Sequence, residues 1–366
     1  MLAGKVRSVG FIHSALTLLL FALLLSPPVY ANPDTKTAVN IKQRPKIGLV
    51  LSGGGARGFA HVGVLKVIEQ LNIPIDIVVG TSMGSIVGGL YAIGLTPDEI
   101  EKGIQGIDWD AVFNDYARRE FRAFRRKQDD HLFPPKRIGV TDEGLKLSPG
   151  LIDGQQIELA LDRLAYPGFH ITDFDKLHIP YRAIATDIET GDAVILNKGN
   201  IAKAMRASMS IPGALPPIKY EGKLLVDGGI GNNVPINVAR DLGADIVIVV
   251  DVSAPLATQE ELQSSIAITA QLTTILTRRI ADQQIETLSA SDVLIIPGRK
   301  DLSSSSFTEY DELIKAGVDS AVEAYERLGP LSVSDTEYAQ YKSGLAVVAR
   351  RQPVSYTHLR AHETGV

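Results

Sequence analysis

Short apolar runs alternate with amphipathic segments between residues 46 and 328. The run over 46–51 is typical of a buried strand, and a glycine-rich turn follows it at 52–58. Apolar spacing then predicts a helix over 59–71 and a second buried strand over 75–79. Strand, turn and helix repeated in this order are typical of a parallel sheet with helices on both faces.

The alternation continues to residue 328, so we predict a single α/β domain over 46–328 with three layers, α/β/α, and a mainly parallel central sheet. Residues 97–180 carry less strand signal and are interpreted as an inserted cap or lid. The other predicted elements are helices over 85–93, 201–208, 234–242, 260–288 and 310–328, and strands over 181–185, 193–196, 223–226, 246–250 and 293–296.

The N-terminus has the pattern of a signal peptide. Basic residues precede an apolar run over 15–25, and small residues lead to a cleavage position after Ala31. We therefore expect a signal peptide over 1–31, a polar linker over 32–45, and export to the periplasm, the outer membrane or the medium.

The periodic patterns fade after residue 328. We interpret 329–353 as a C-terminal extension that links the domain to a further module. The final segment, 354–366, has no clear period, and we interpret it as a non-native tail.

Composition excludes several classes of chemistry. The chain has 366 residues, a net charge of -5 and no cysteine, which rules out disulfides, thiolate metal sites and cysteine nucleophiles. Nucleic-acid binding has no support, because it usually requires a basic surface. The sequence also lacks a His-Glu-x-x-His helix, so we predict neither a metal nor a cofactor.

A candidate nucleophile lies between the second strand and the following helix. A serine in a G-x-S-x-G turn has its hydroxyl exposed on strained backbone, at the N-terminus of a helix that favours negative charge. Here the nucleophile would be Ser82, and the turn is Gly80-Thr81-Ser82-Met83-Gly84.

A serine hydroxyl needs a base to become a good nucleophile. None of the seven histidines stands at a strand end suited to a triad, which leaves carboxylates as candidate bases. Asp227 ends the apolar strand over 223–226, and Gly228 and Gly229 follow it in a tight turn. Because ligand sites in open α/β sheets lie outside strand carboxyl ends, we expect Asp227 and Ser82 to face one crevice.

A third candidate element supplies backbone donors for an oxyanion. Consecutive glycines before a helix leave N–H groups uncovered, and such donors are often the largest catalytic contribution in acyl transfer. The candidate oxyanion segment is Gly53-Gly54-Gly55-Ala56-Arg57-Gly58.

These three motifs, in this order, resemble those of the patatin-like phospholipases, and the segment 207–213 also resembles a family segment near the active site. The resemblance covers about residues 46–328. It implies a patatin-like fold, a dyad of Ser82 and Asp227, oxyanion donors at Gly54, Gly55 and Ala56, and hydrolysis of phospholipid or lysophospholipid esters at a membrane surface. Some exported bacterial relatives carry an outer-membrane barrel in the same chain.

Alternative functions remain open at this point. A lipid-binding or scaffold domain without catalysis would keep the fold, and an acyltransferase would use the same residues. The pattern Gly53-x-Gly55-x-x-Gly58 also matches a dinucleotide fingerprint, which would indicate an oxidoreductase, but the expected acidic residue at the end of the second strand is missing. Arginines and phenylalanines alternate over 118–127, typical of a solvated helix face or a lipid contact.

Overall fold

The computed structural model describes residues 44–114, 138–141, 144–147, 152–260, 262–298 and 303–349. The predicted signal peptide, most of the linker, the basic stretch at 118–127 and the predicted non-native tail lie outside these ranges. None of the helices in the described ranges has the length and hydropathy that a membrane span requires.

The described residues contain a large sheet and a separate hairpin. The large sheet follows the pairing order β10-β9-β1-β2-β5-β8-β7, with β6 also paired to β5, and the hairpin is β3-β4. The strands are β1 (Ile47–Leu51), β2 (Ile77–Thr81), β3 (Ile138–Thr141), β4 (Gly144–Leu147), β5 (Tyr181–Asp187), β6 (Ala193–Leu196), β7 (Ile218–Tyr220), β8 (Lys223–Asp227), β9 (Ile246–Val250) and β10 (Val293–Ile295).

Helices cover both faces of this sheet. The α-helices are α1 (Ala60–Gln70), α2 (Met83–Ala92), α3 (Pro97–Gln105), α4 (Trp109–Asn114), α5 (Gln155–Leu164), α6 (Ile201–Ser208), α7 (Gly229–Asn232), α8 (Ile236–Asp241), α9 (Ser265–Ile285), α10 (Tyr310–Glu323), α11 (Tyr325–Leu328) and α12 (Asp335–Ala349). Short 3-10 helices include Gly55–Phe59, directly before α1.

The core has two layers because alternate strand side chains point to opposite faces. In β1, Leu49 and Leu51 belong to the larger apolar cluster with α1, α2 and α10. Val50, between them, belongs to the smaller cluster with α8 and α9. The predicted three-layer α/β/α fold with a mainly parallel sheet is therefore confirmed, with β6, β7 and β8 as antiparallel additions.

Strands β2 and β8 lie along the same edge of β5, end to end. Ile184 of β5 pairs with Thr81 of β2, and the next residue, Ala185, pairs with Asp227 of β8. The opposite edge of β5 holds β6, which pairs with both Ile184 and Ala185. Because β2 runs parallel to β5 and β8 runs antiparallel to it, the carboxyl ends of β2 and β8 face each other.

This topology corrects the reason given above for placing Asp227 at the crevice. In an antiparallel strand, direction alone would put the carboxyl end at the opposite edge of the sheet. Asp227 reaches the end of β2 because β8 begins beyond that end and pairs with only the last three residues of β5.

Two segments differ from the pattern expected of them. The described helices within 97–180 contribute to the main core, since Ile100, Ile104 and Leu161 are buried in the larger cluster. Residues after 328, where the periodicity fades, form α12, whose Tyr341 hydroxyl donates to the Ile75 carbonyl at 2.8 Å. Helix α12 also makes polar contacts, between Asn72 and Asp335 and between Lys342 and Glu69, which an apolar period does not predict.

Candidate active site

Ser82 occupies strained backbone at the junction of β2 and α2. Its φ is +52° and its ψ is -122°, a combination that is costly for a residue with a Cβ atom. Gly80 makes the turn possible, because a Cβ there would collide with the Gly84 carbonyl. The side chain of Ser82 therefore projects from a sharp strand-to-helix turn, as the G-x-S-x-G pattern predicts.

Asp227 lies within hydrogen-bond reach of this serine. Ser82 Oγ donates to Asp227 Oδ2 at 2.7 Å, and the backbone N–H of Gly229 donates to Oδ1 at 2.8 Å. Both Ser82 and Asp227 are at least nine-tenths buried. Burial raises the pKa of Asp227 from 3.8 to about 6, while the hydrogen bonds from Gly229 and Ser82 lower it in part. The carboxyl group can therefore accept a proton near neutral pH.

Ser208, at the end of α6, connects the turns that carry Ser82 and Asp227. Its hydroxyl accepts the N–H of Ser82 at 2.9 Å and donates to the carbonyl of Ile184. The Ser208 carbonyl accepts the N–H of Gly228 at 3.1 Å. Two residues further on, the Ser210 carbonyl accepts the N–H of Asp227 at 2.9 Å. One short segment thus fixes the backbone of both Ser82 and Asp227.

The glycine segment supplies fewer free donors than its sequence suggests. The N–H of Gly53 donates to Asn233 Oδ1 at 3.1 Å, and the N–H of Ala56 donates to the Ser304 carbonyl at 2.8 Å. Ala56 was expected to be an oxyanion donor, and this hydrogen bond removes it from that role here. Among the described residues, the N–H groups of Gly54 and Gly55 have no acceptor.

The glycine segment is held between Ser304 on one side and Asn233 on the other. Gly55 has a φ of +60°, and a Cβ there would collide with the carbonyl of Ser304. Asn233 holds the segment from the other side, since its Nδ2 donates to the Gly53 carbonyl at 3.2 Å and to Ser253 Oγ at 2.7 Å. At Gly58, a Cβ would collide with the side chain of Met83.

The remaining motif residues form and stabilise the two turns. Thr81 is buried, and its hydroxyl donates to the carbonyl of Asn232 at 2.9 Å. Met83 and Gly84 form the first turn of α2, so the N–H of Met83 has no acceptor inside that helix. Gly228 and Gly229 follow Asp227 at the beginning of α7.

A cavity of about 680 Å³ opens beside the Ser82 hydroxyl. This volume is in the usual range for small-molecule sites. Ser82 and Asp227 line the cavity together with Gly53, Gly54, Gly55 and Arg57, and helix α9 contributes Thr273, Thr274, Thr277 and Arg278. The sequence motifs did not indicate Ser208, Asn233 or the α9 residues individually, although Ser208 lies in the segment 207–213 noted above.

Histidine has no role next to the serine in the described part of the chain. His61, the histidine nearest the glycine segment in sequence, is fully buried and places Nε2 at 2.9 Å from the Ser52 carbonyl. Burial lowers the pKa of His61 to about 4, so the ring is neutral at pH 7. The described residues also contain no group of three or more His, Asp or Glu side chains able to hold a metal ion.

Comparison with known proteins places these features in a family. The family model described as patatin-like phospholipase matches residues 49–240. A patatin-like phospholipase domain-containing protein of Caenorhabditis elegans is 39% identical over 210 residues, 57% of this chain and 14% of the relative. A lysophospholipase of Meyerozyma guilliermondii is 33% identical over 221 residues, 60% of this chain and 14% of the relative.

The chain thus spans about one seventh of the length of these curated relatives. Among solved structures, VipD of Legionella pneumophila superposes with a TM-score of 0.42 at 15% identity, covering 83% of this chain and 74% of that one.

Proposed function

This chain belongs to the patatin-like phospholipase family, and from that premise we propose that it is a serine lipid acyl hydrolase that cleaves fatty acyl esters of phospholipids or lysophospholipids. The observation that carries the proposal is the 2.7 Å hydrogen bond from Ser82 Oγ to Asp227 Oδ2 beside an open cavity. The name of the Meyerozyma guilliermondii relative, a lysophospholipase, supports the same substrate class.

In the first half of the reaction, Asp227 Oδ2 takes the proton from Ser82 Oγ while that oxygen attacks the ester carbonyl. The negative charge that develops on the carbonyl oxygen is stabilised by the free N–H groups of Gly54 and Gly55 and by that of Met83 at the N-terminus of α2. The carbon–oxygen bond to the alcohol then breaks, and the departing oxygen takes the proton from Asp227. The acyl group remains as an ester on Ser82.

In the second half, water gives a proton to Asp227 and attacks the acyl carbonyl. When the new tetrahedral intermediate collapses, Ser82 Oγ departs and takes the proton back from Asp227, and the fatty acid is released. One carboxylate therefore serves as base and acid in turn, which requires a pKa near the working pH. The raised pKa of Asp227, about 6, suits this double role.

The test is fatty-acid release from mixed micelles of a phospholipid or lysophospholipid by the unmodified chain, Ser82→Ala and Asp227→Asn. We expect both variants to lose at least about 10³-fold in kcat, because residues that act as a unit fail together. Asp241→Asn, at the exposed end of α8, is a matched control that changes the same charge away from the cavity. Folding is checked by circular dichroism.

Two results would contradict the proposal. If Ser82→Ala keeps its activity, the nucleophile is assigned wrongly. If a folded, unmodified chain releases no fatty acid from any acyl ester, the alternative of a lipid-binding or scaffold domain becomes the better explanation.

A further inference from the structure

Arg206, in the last turn of α6, is the largest fully buried side chain in the described part of the protein. Only 1% of this residue is exposed. Burying a guanidinium is expensive, and apolar residues of similar volume often fill such a space without loss of stability. Arg206 does not line the cavity beside Ser82, so contact with a ligand there does not account for its burial.

The guanidinium of Arg206 contacts the residue that follows the end of its own helix. Its Nη1 donates to Ser210 Oγ at 2.6 Å, and Ser210 Oγ donates in turn to the Arg206 carbonyl at 2.8 Å. The hydroxyl of Ser210 is thus held both as an acceptor and as a donor. Because Ser210 is fully buried, solvent water does not compete for these hydrogen bonds.

A second contact restricts the guanidinium from another side. Gly154, directly before α5, has a φ of +82°, and a Cβ there would collide with Arg206 Nη2. Two residues earlier, the N–H of Ile152 donates to the Ala214 carbonyl at 3.0 Å, which ties this segment to the chain that follows Ser210. Arg206 is therefore packed between the segment before α5 and Ser210, and its guanidinium has little freedom to move.

Ser210 extends this constraint to the proposed base. Its carbonyl accepts the N–H of Asp227 at 2.9 Å. Asp227 is the last residue of β8 to pair with β5, so the chain beyond it is held by the end of α6 rather than by the sheet. A shift of this backbone would change the 2.7 Å distance between Asp227 Oδ2 and Ser82 Oγ. A misplacement of about 1 Å can lower a rate by about 100-fold.

We propose that Arg206 is a positioning residue, which holds the carboxylate of Asp227 in line with Ser82 Oγ by fixing Ser210. This inference rests on the proposed function, since it concerns the base of that reaction. In this role Arg206 acts through the Ser210 carbonyl and contacts neither the substrate nor Ser82. A basic side chain in the last turn of a helix also stabilises the helix itself, and the experiments below separate the two roles.

The first test is the steady-state hydrolysis of lysophosphatidylcholine in non-ionic micelles by the unmodified chain and by Arg206→Met. We expect kcat to fall about 10- to 100-fold, because the base is misplaced. KM should change less than about twofold, since neither Arg206 nor Ser210 lines the cavity. Arg206→Lys should recover part of kcat, because an ammonium group still donates to Ser210 Oγ. A folded Arg206→Met protein with the kcat of the parent would overturn the proposal.

A double-mutant cycle tests whether Arg206 acts through Ser210. Ser210→Ala removes the connection and leaves the guanidinium in place, so it should lower kcat by a similar factor. The double variant should lose no more kcat than the more damaged single variant, because both substitutions break the same connection. Losses that multiply would show that Arg206 acts by another route. If Arg206→Met does not fold, a Ser210→Ala protein with the kcat of the parent would overturn the proposal.

Two matched controls separate positioning from general loss of stability. Lys203→Met removes an exposed charge from the same helix. Arg182→Met removes another buried arginine, at the beginning of β5, where its Nη1 donates to the Tyr181 carbonyl at 2.9 Å and pairs with Asp175 at 2.8 Å. We expect Arg182→Met to unfold at lower urea while kcat stays within about twofold of the parent. If Arg182→Met lowers kcat as much as Arg206→Met does, the positioning role is refuted.

Labelling with a fluorophosphonate distinguishes failure of this inference from failure of the proposed function. Ser82 Oγ attacks the phosphorus, the bond to fluorine breaks, and fluoride leaves while Asp227 takes the serine proton, so the rate reports the reactivity of Ser82 without any lipid. We expect labelling to slow about tenfold or more in Arg206→Met and in Ser210→Ala, and to keep the rate of the parent in both controls. Equal rates in all of these proteins would overturn only the positioning role. If Ser82 of the unmodified chain is not labelled, the proposed nucleophile is wrong and both proposals fail.

Discussion

The hydroxyl of Ser208 stands between the N–H of Ser82 and the carbonyl of Ile184, accepting from the first at 2.9 Å and donating to the second. Along the β2–β5 ladder the N–H of Val78 donates to the Pro180 carbonyl, and parallel strands repeat this bond every second residue. The next bond of this ladder would join the N–H of Ser82 to the carbonyl of Ile184. The Ser208 hydroxyl bridges these two groups instead. The inserted hydroxyl lets β2 turn away from the sheet without leaving a buried N–H unpaired.

Removing this hydroxyl should reduce catalysis more than binding. We expect Ser208→Ala to lower kcat about 10- to 100-fold with little change in KM, because Ser82 loses its backbone anchor while the cavity walls remain. The cost in stability should be about 1–3 kcal/mol, the usual penalty for an unsatisfied buried donor. Steady-state kinetics and urea unfolding measure both quantities.

Ser208→Cys is the conservative comparison, since the thiol is of similar size and still donates weakly. It should recover part of kcat. An unchanged kcat in Ser208→Ala would show that Ser82 is positioned without this bond.

The strained backbone at Ser82 should be visible in stability. Ser82→Gly and Ser82→Ala both remove the hydroxyl, but only glycine adopts a φ of +52° without a steric cost. We expect Ser82→Gly to unfold at higher urea than Ser82→Ala, by about 1 kcal/mol. Equal stability, or a less stable glycine variant, would mean that the turn stores no appreciable strain.

Activity should fall on the acid side of neutrality. Asp227 must be ionised to accept the proton of Ser82, and burial raises its pKa to about 6. We therefore expect kcat/KM, measured with an uncharged acyl ester, to decrease as the pH falls through about 6. A profile that stays flat down to pH 4.5 would contradict the raised pKa or the role of Asp227.

The same pKa predicts a change in stability with the opposite sign. Because the folded state binds the Asp227 proton more tightly than the unfolded state, this group stabilises the fold below about pH 4. The contribution disappears as the pH rises through about 6, where the folded chain must bury a charged carboxylate.

Asp227→Asn removes the cost of burying a charged carboxylate. It should therefore raise the free energy of unfolding at pH 8 by up to about 3 kcal/mol, and by much less at pH 4. Urea unfolding at the two pH values is the measurement. If the variant is less stable than the parent at pH 8, the hydrogen bonds lost with the carboxylate contribute more to stability than the buried charge costs.

The fold class followed from local patterns, and the two candidate site residues were proposed from the same kind of pattern. Buried strands such as 246–250 leave an apolar run, and Ser82 stands in a turn motif that short-range sterics define. The antiparallel direction of β8 left no local signal, because an apolar strand reads the same in either direction. The motif thus placed Asp227 beside Ser82, as the structure has it, but the argument from strand direction is one that the topology does not support.

Other site residues depend on contacts between distant segments. Asn233 reaches Gly53 across 180 positions of the chain, and Ser304 takes the N–H of Ala56 across an even longer separation. Arg278 lies on a helix whose sequence shows several exposed apolar residues and no motif. Hydrogen bonds and ion pairs of this kind are set by how elements pack, which one sequence does not display.

The end-to-end meeting of β2 and β8 also has a consequence for how the chain matures. Ser82 and Asp227 are 145 positions apart and are aligned by β5, which both strands must find, together with the segment around Ser208. Pairings between remote segments are late and slow steps of folding. If the proposed dyad is right, an incomplete or partly folded chain holds Ser82 without Asp227, and the proposed hydrolysis begins only when the sheet is complete.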